Sequence, residues 1–180
     1  MDWSVQLDMI RQIVPRTEAV VWAEVDAMMD KLQSLPVNDS NYGIIHFDFE
    51  PDNLVWSGDE PGIFDLDDCM YAWFAMDISN ALSSELFDDR LENFDFTHPK
   101  LQWFLEGYRS VRPMDEEEMM RMPLFLRLDN LIAFARVYRS IAEDPVGGEP
   151  KWAADLQQKL EMKLGKYRAS FQSHPIRDVP

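Results

Sequence analysis

One window, from about residue 41 to residue 68, most constrains the fold, because there helical spacing gives way to short apolar runs. Before it, Val21, Val25, Met28, Leu32 and Leu35 recur at helical spacing across Val20 to Leu35, and Pro36 stops that helix. Inside the window, Gly43-Ile44-Ile45, Leu54-Val55-Trp56 and Gly62-Ile63-Phe64 are each a short strand in length. Ser57-Gly58-Asp59-Glu60-Pro61 lies between the last two and reads as a hairpin turn. After Asp77 the pattern is helical almost to the end. Asp115 and Glu118 have the spacing of a capping box, and Leu124, Leu128, Leu131, Ile132, Ala135 and Tyr138 form an apolar stripe. Asp144 to Pro150 is a turn-rich break, and Lys151 to about Phe171 predicts a last helix. The outline is an α+β chain, mostly helical, with a small hairpin-bearing block.

Composition removes several functional classes. Eleven Phe, six Trp and eleven Met in a chain of 180 residues predict a filled core rather than disorder. A single Cys excludes a disulfide framework, and no Cys/His cluster has zinc-site spacing. Met1-Asp2-Trp3-Ser4 lacks a basic segment followed by an apolar run, and no uncharged stretch approaches the roughly 18 residues of a membrane span. A soluble cytoplasmic protein is the expectation, with no membrane partner. The formal charge of −16 argues against nucleic acid, whose phosphates need clustered Lys and Arg. Such a surface keeps a protein soluble, and it also suits a cationic substrate or a divalent metal.

The chemistry-bearing residues fall inside the same window. His46-Phe47-Asp48-Phe49-Glu50-Pro51-Asp52-Asn53 has the form H-x-D-x-x-x-x-N, and Phe64-Asp65-Leu66-Asp67-Asp68 places acids directly after an apolar run. Protein kinases pair H-R-D-L-x-x-x-N with a downstream D-F-G in the same order. Phosphoryl transfer needs a carboxylate near the acceptor hydroxyl and metal ions that neutralise the triphosphate. Asp48, on a loop leaving a strand, has the chemistry to take the hydroxyl proton. Asn53 offers a neutral oxygen, and Asp65 the anionic oxygen that magnesium prefers. A hairpin folding residues 53 and 65 back beside each other would bring both to one metal pair. His46 either touches substrate or buttresses the loop. Asp67 and Asp68 read as a second metal contact, a contact to a substrate ammonium group, or a solvated acidic turn. Glu50 and Asp52 stand where a cationic substrate could be read or where a loop is simply solvated. The pairs Trp73-Phe74 and Trp103-Phe104 are read as core.

The run Gly43-Ile44-Ile45-His46-Phe47-Asp48-Phe49-Glu50-Pro51-Asp52-Asn53-Leu54-Val55 resembles the H-G-D-x-x-x-x-N motif of the aminoglycoside phosphotransferase and choline kinase-like family. Gly62-Ile63-Phe64-Asp65-Leu66-Asp67-Asp68 is similar to that family's I-D-F-x-D segment, and Asp77-Ile78-Ser79 to its D-L/I-A helix start. The resemblance implies a protein-kinase-like C-terminal lobe with a catalytic base at Asp48. It implies metal and nucleotide ligation by Asn53 and Asp65, with Asp67 as a further metal ligand, and structural support from His46 and Asp77. Magnesium and ATP are the implied cofactors, bound weakly by this chain alone. Phe47 stands where the family has glycine, and Asp52 where it has the glycine before the asparagine, which bears on substrate choice more than on metal chemistry.

A kinase of this kind also carries a phosphate-covering glycine loop and a Lys–Glu pair on an N-terminal lobe. Here the first glycine is Gly43, and the only lysine before His46 is Lys31, inside a predicted helix. The expected organisation is therefore a single domain with that nucleotide lobe absent. Residues 1–40 supply leading helices, 41–68 the catalytic loop and metal hairpin, and 69–180 a helical bundle. The expected activity is ATP-dependent transfer of the γ-phosphate to a hydroxyl of a small molecule, with an amino sugar or amino alcohol as the acceptor class. The alternative is a catalytically incomplete kinase-like binding or interaction domain. An exposed apolar face is expected where the missing lobe would dock, and with it self-association.

Overall fold

The structure, a computed structural model, describes residues 2–86, 95–143 and 151–176. Two helices, α1 (Trp3–Ile13) and α2 (Ala19–Ser34), precede four short strands, β1 (Tyr42–Ile45), β2 (Leu54–Ser57), β3 (Glu60–Ile63) and β4 (Met70–Trp73). Five more helices follow: α3 (Phe74–Leu86), α4 (Pro99–Val111), α5 (Glu116–Met120), α6 (Met122–Glu143) and α7 (Lys151–Ser173). The chain is mostly helical with small antiparallel sheets. The residues group into two compact units, one of Met1–Trp3 with Pro36–Leu126, the other of Ser4–Leu35 with Arg127–Val179.

The first unit carries both sheets. β1 pairs antiparallel with β4, from Tyr42 opposite Trp73 to Ile45 opposite Met70, and β2 pairs with β3, from Leu54 opposite Ile63 to Ser57 opposite Glu60. The sequence pattern gives no strand between the hairpin and the helices after Asp77, and so misses β4. Its partner lies far upstream in β1, so no local window reveals the pairing that satisfies its backbone. Along β1 and β4, Ile45, Met70 and Ala72 face inward and are buried, as period-two alternation requires. Trp73 sits at the centre of this core at 2% exposure. Its indole N–H donates to the Pro36 carbonyl at 3.0 Å, and its ring stacks on Phe125 with centroids 5.7 Å apart. Gly43 is required here, because a Cβ on it would stand 2.8 Å from the Phe74 ring. The Arg112 guanidinium lies over that ring, 3.8 Å from its centroid, and donates to the carbonyls of Asp39 and Ser40, holding the segment that leads into β1.

The hairpin closes more tightly than the sequence suggested. Glu60 and Pro61 belong to β3, and the loop is only Gly58 and Asp59. Gly58 takes φ +64, which a two-residue hairpin turn demands at its first position and which glycine reaches without steric cost. The Asp115 capping box forms as expected, with Asp115 accepting from the Glu118 amide and Glu118 from the Asp115 amide.

In the second unit, Val21, Val25, Met28 and Leu32 of α2 are buried with Leu128, Leu131, Ile132 and Ala135 of α6 and with Leu164, Tyr167 and Phe171 of α7. Tyr138, the last member of the predicted stripe, is half-buried. A buried ion pair crosses this core: Arg127 Nε donates to Glu24 at 3.0 Å, with both side chains almost without exposure. The same guanidinium donates to the Ser170 hydroxyl and the His174 carbonyl, while Glu24 accepts the Ile176 amide. Among the described residues no helix is long and apolar enough to cross a membrane. The predicted break at Asp144 to Pro150 lies outside the described residues.

Candidate functional site

β1 ends at Ile45, and the next three residues turn sharply. Phe47 adopts φ +70, a left-handed conformation that is a steric outlier for a bulky side chain. Helix α3 holds it there. The Asp77 carboxylate, in the first turn of α3, accepts the amides of His46 at 2.8 Å and Phe47 at 2.7 Å. One turn further on, Asn80 donates its side-chain amide to the Phe47 carbonyl. Burial raises the Asp77 pKa above the usual aspartate value, and the two backbone N–H groups only partly offset this.

The His46 ring links the loop to the hairpin. Its Nε2 lies 3.0 Å from the Phe64 carbonyl. A carbonyl only accepts, so Nε2 carries the proton, and Nδ1 is buried without a hydrogen-bond partner among the described residues. His46 itself is buried, with Phe49 edge-on to its ring.

Asp48 follows, half-buried, and Asn53 is bound directly to it. The Asn53 amide nitrogen donates to the Asp48 carboxylate at 3.0 Å and to the Asp48 carbonyl at 2.8 Å. The single 3₁₀ turn of Pro51–Asn53, closed by the Asn53 amide on the Glu50 carbonyl at 3.0 Å, brings the two residues together. Both protons of the Asn53 amide are thereby engaged, and its oxygen is the atom left to meet a cation. Glu50 and Asp52 are exposed on this turn. The Glu50 carboxyl is pushed above its usual value by burial first, then by the charges of Asp48 and Asp52.

The hairpin then returns the chain. The Phe64 amide donates to the Asn53 carbonyl at 3.2 Å, one step beyond the Leu54–Ile63 pair, so Phe64 stands opposite Asn53 and Asp65 is the next residue as the chain leaves the hairpin. Asp65 also has a positive φ of 61°, a conformation aspartate tolerates better than most residues. Asp65 and Asp67 are exposed and Asp68 is half-buried. No hydrogen bond among the described residues joins Asp67 to Asn53 or Asp65. Nor do any three His, Cys, Asp or Glu side chains there form a cluster able to hold a cation alone. An open set of one amide and one or two carboxylate oxygens fits magnesium, which usually completes its shell with water and substrate phosphates.

Thus His46, Asp48, Asn53, Asp77 and the backbone at Phe47 and Phe64 meet in one hydrogen-bonded network, Asp65 is the residue that follows Phe64, and no hydrogen bond among the described residues ties Asp67 into it. Sequence reasoning passed over Asn80, although its place three residues after Asp77 puts both on one face of α3. It also read Trp103 as core. The indole is 70% exposed, because Leu101 and Leu105 take the buried face of α4 and Trp103 projects from the other.

A family model described as the phosphotransferase enzyme family matches residues 3–114. Amicoumacin kinase of Bacillus subtilis (strain 168) is 30% identical over 148 residues, covering 79% of this chain and 43% of that protein. Homoserine kinase of Brucella ovis is 30% identical over 127 residues, covering 70% of this chain and 38% of the kinase. Among solved structures, amicoumacin kinase hAmiN in complex with AMP-PNP, Ca2+ and Ami aligns with a TM-score of 0.78 and 25% identity, over 97% of this chain and 51% of that one. A microcompartment-associated aminopropanol kinase aligns at 0.60 with 21% identity, over 92% and 47%, and shares the fold. The chain spans about half the length of the curated relatives it matches. With the family model covering most of the sequence, including the whole window from His46 to Asp77, the chain belongs to the phosphotransferase enzyme family.

Proposed function

We propose that this chain is the acceptor-and-metal lobe of an ATP-dependent small-molecule kinase, transferring the γ-phosphate to a hydroxyl group. The observation that carries this reading is the direct pairing of the Asp48 carboxylate with Asn53, beside the hairpin end that bears Asp65. Asp48 accepts the proton of the attacking hydroxyl. Asn53 orients that carboxylate through its amide nitrogen and turns its oxygen to a cation. Asn53 and Asp65, with Asp67 as an outer ligand, would hold magnesium, which neutralises charge on the nucleotide's phosphates when bound. His46 and Asp77 hold the loop in shape. The amicoumacin kinase structure with a nucleotide analogue and Ca2+ supports a nucleotide-and-divalent-metal site here.

The acceptor class we favour is an amine-bearing alcohol or amino sugar. Asp48, Glu50 and Asp52 present three carboxylates within five residues of loop, and the whole chain carries a formal charge of −16. An aminopropanol kinase among the fold relatives agrees with that chemistry. Trp56 and Ile63 on one face of the hairpin, and Val55 and Phe64 on the other, are exposed apolar side chains that a nucleotide-covering lobe or a second copy of the chain would cover.

The test is Asp48→Ala in the native polypeptide that carries this sequence, with transfer to a panel of amine-bearing alcohols measured at saturating nucleotide and magnesium. Loss of a general base lowers kcat by about 10²–10⁴. Turnover within about twofold of wild type removes Asp48 from the mechanism. Ligand binding by a wild type that transfers no phosphate would favour the alternative, a kinase-like binding domain.

A further inference from the structure

The loop before Asp48 holds a large residue where its backbone should not rest. Phe47 is left-handed at φ +70, yet its ring is buried to 4% exposure, so the ring fixes the residue in place and cannot relieve its backbone. Glycine enters this region freely, whereas a β-carbon crowds the neighbouring carbonyl. Some contact must therefore oppose relaxation of Phe47. Among the described residues, two such contacts come from α3. Asp77 accepts the Phe47 amide on one side of the residue, and Asn80 donates to the Phe47 carbonyl on the other. That carbonyl belongs to the peptide leading into Asp48, so its orientation sets the direction in which the Asp48 carboxylate leaves the backbone. Asn80 is 5% exposed, and its donor is committed to a main-chain carbonyl inside the core.

We propose that Asn80 is a positioning residue for the phosphotransfer site: with Asp77 it clamps both faces of the left-handed Phe47 and so aims Asp48. The proposal rests on Asp48 being the reacting carboxylate, and it deepens that reading by assigning a second α3 residue to the site. It carries a distinctive consequence. The need for Asn80 should disappear once residue 47 no longer resists its conformation.

The test compares wild type, Asn80→Ala, Phe47→Gly and the double variant in the native polypeptide that carries this sequence. Amide hydrogen exchange is read at residues 46–48, and steady-state transfer gives kcat and KM separately. Asn80→Ala should speed exchange at residues 46–48 by about tenfold or more while amides in β4 and α6 keep their protection. It should lower kcat about ten- to a hundredfold with the KM for nucleotide unchanged. In the Phe47→Gly background the same substitution should change both readouts by less than about twofold. Unchanged exchange in Asn80→Ala overturns the proposal, as does faster exchange spread evenly over the first unit, which marks general destabilisation. Equal kcat losses in both backgrounds overturn it too. If Phe47→Gly does not fold, the exchange pattern of Asn80→Ala alone decides. A wild type that transfers no phosphate defeats the kinase reading and leaves the exchange result standing, so the two failures are distinguishable.

Discussion

Replacing Asp77 by alanine should unfasten the turn between β1 and Asp48, and the cost follows from what the carboxylate holds. It accepts two amides at 2.8 and 2.7 Å, both on residues under 9% exposed, where water cannot take over the bonds. Each stranded buried donor costs about 1–3 kcal/mol. The left-handed Phe47, no longer clamped, is free to relax and returns about 1–2 kcal/mol of strain. The two terms together leave a net loss of about 3 kcal/mol. For a chain of this size that lowers the melting temperature by roughly 6–12 °C. Asp77→Asn keeps one acceptor oxygen but turns an NH2 toward the second amide, and should lose about half as much. Thermal melting followed by far-UV circular dichroism reads both. The titration adds a second signature. Burial raises the folded-state pKa of Asp77 above its ordinary value of 3.8, so the folded protein binds the proton more tightly than the unfolded chain. The stability this contributes is fully present below pH 3.8 and is lost as pH rises through the folded-state value. Wild type should therefore lose ground to Asp77→Asn across that window. An Asp77→Ala variant melting within about 1 °C of wild type would refute the reasoning, since the two amides would then not depend on the carboxylate.

Three further outcomes follow from the packing. Arg127→Met strands the Glu24 carboxylate in the second unit's core and should cost about 3–5 kcal/mol, whereas Arg127→Met with Glu24→Leu should recover most of it; urea melts showing equal cost for both would disprove the pairing. Glu18 is held below its ordinary 4.5 by the Arg168 hydrogen bond, against burial and with help from the guanidinium charge. Its contribution is present above pH 4.5 and lost as pH falls through the lower folded-state value, so Arg168→Gln should flatten the decline in melting temperature on acidification, and an unchanged slope would count against it. Gly43→Ala drives a methyl to 2.8 Å from the Phe74 ring, over which Arg112 is stacked, and should cost about 1–3 kcal/mol that Phe74→Leu partly restores; a variant as stable as wild type would show that the ring can yield.

The candidate site was legible in the sequence where chemistry and spacing coincide. His46, Asp48, Asn53, Asp65 and Asp77 carry side chains whose chemistry announces them, and the glycine-centred turn at Gly58 announces the hairpin that carries Asp65. The supporting structure was less legible. Strand β4 is four residues whose pairing partner lies across the whole hairpin, and its apolar residues merge with those opening α3. Nothing in the letters of Phe47 or Asp65 signals a positive φ, because both conformations are imposed by partners on other elements. Asn80 was overlooked because an asparagine inside a helix announces nothing until the carbonyl it meets is known. Trp103 was misplaced because adjacent aromatic residues do not reveal which helical face turns inward.

One detail of the hairpin bears on how the chain behaves in a crowded solution. Ser57 and Glu60 close the two-residue turn as a hydrogen-bonded pair, so in the antiparallel alternation Trp56 and Pro61 form a non-bonded pair. The nitrogen of residue 61 therefore faces the open rim of β3, and proline removes the donor a stray strand would need there. A four-residue rim lacking that donor is a poor template for strand addition, even with Trp56 and Ile63 exposed on its face. At the β3 rim the hairpin thus offers a greasy surface to a partner without the backbone donor that an added strand would need there.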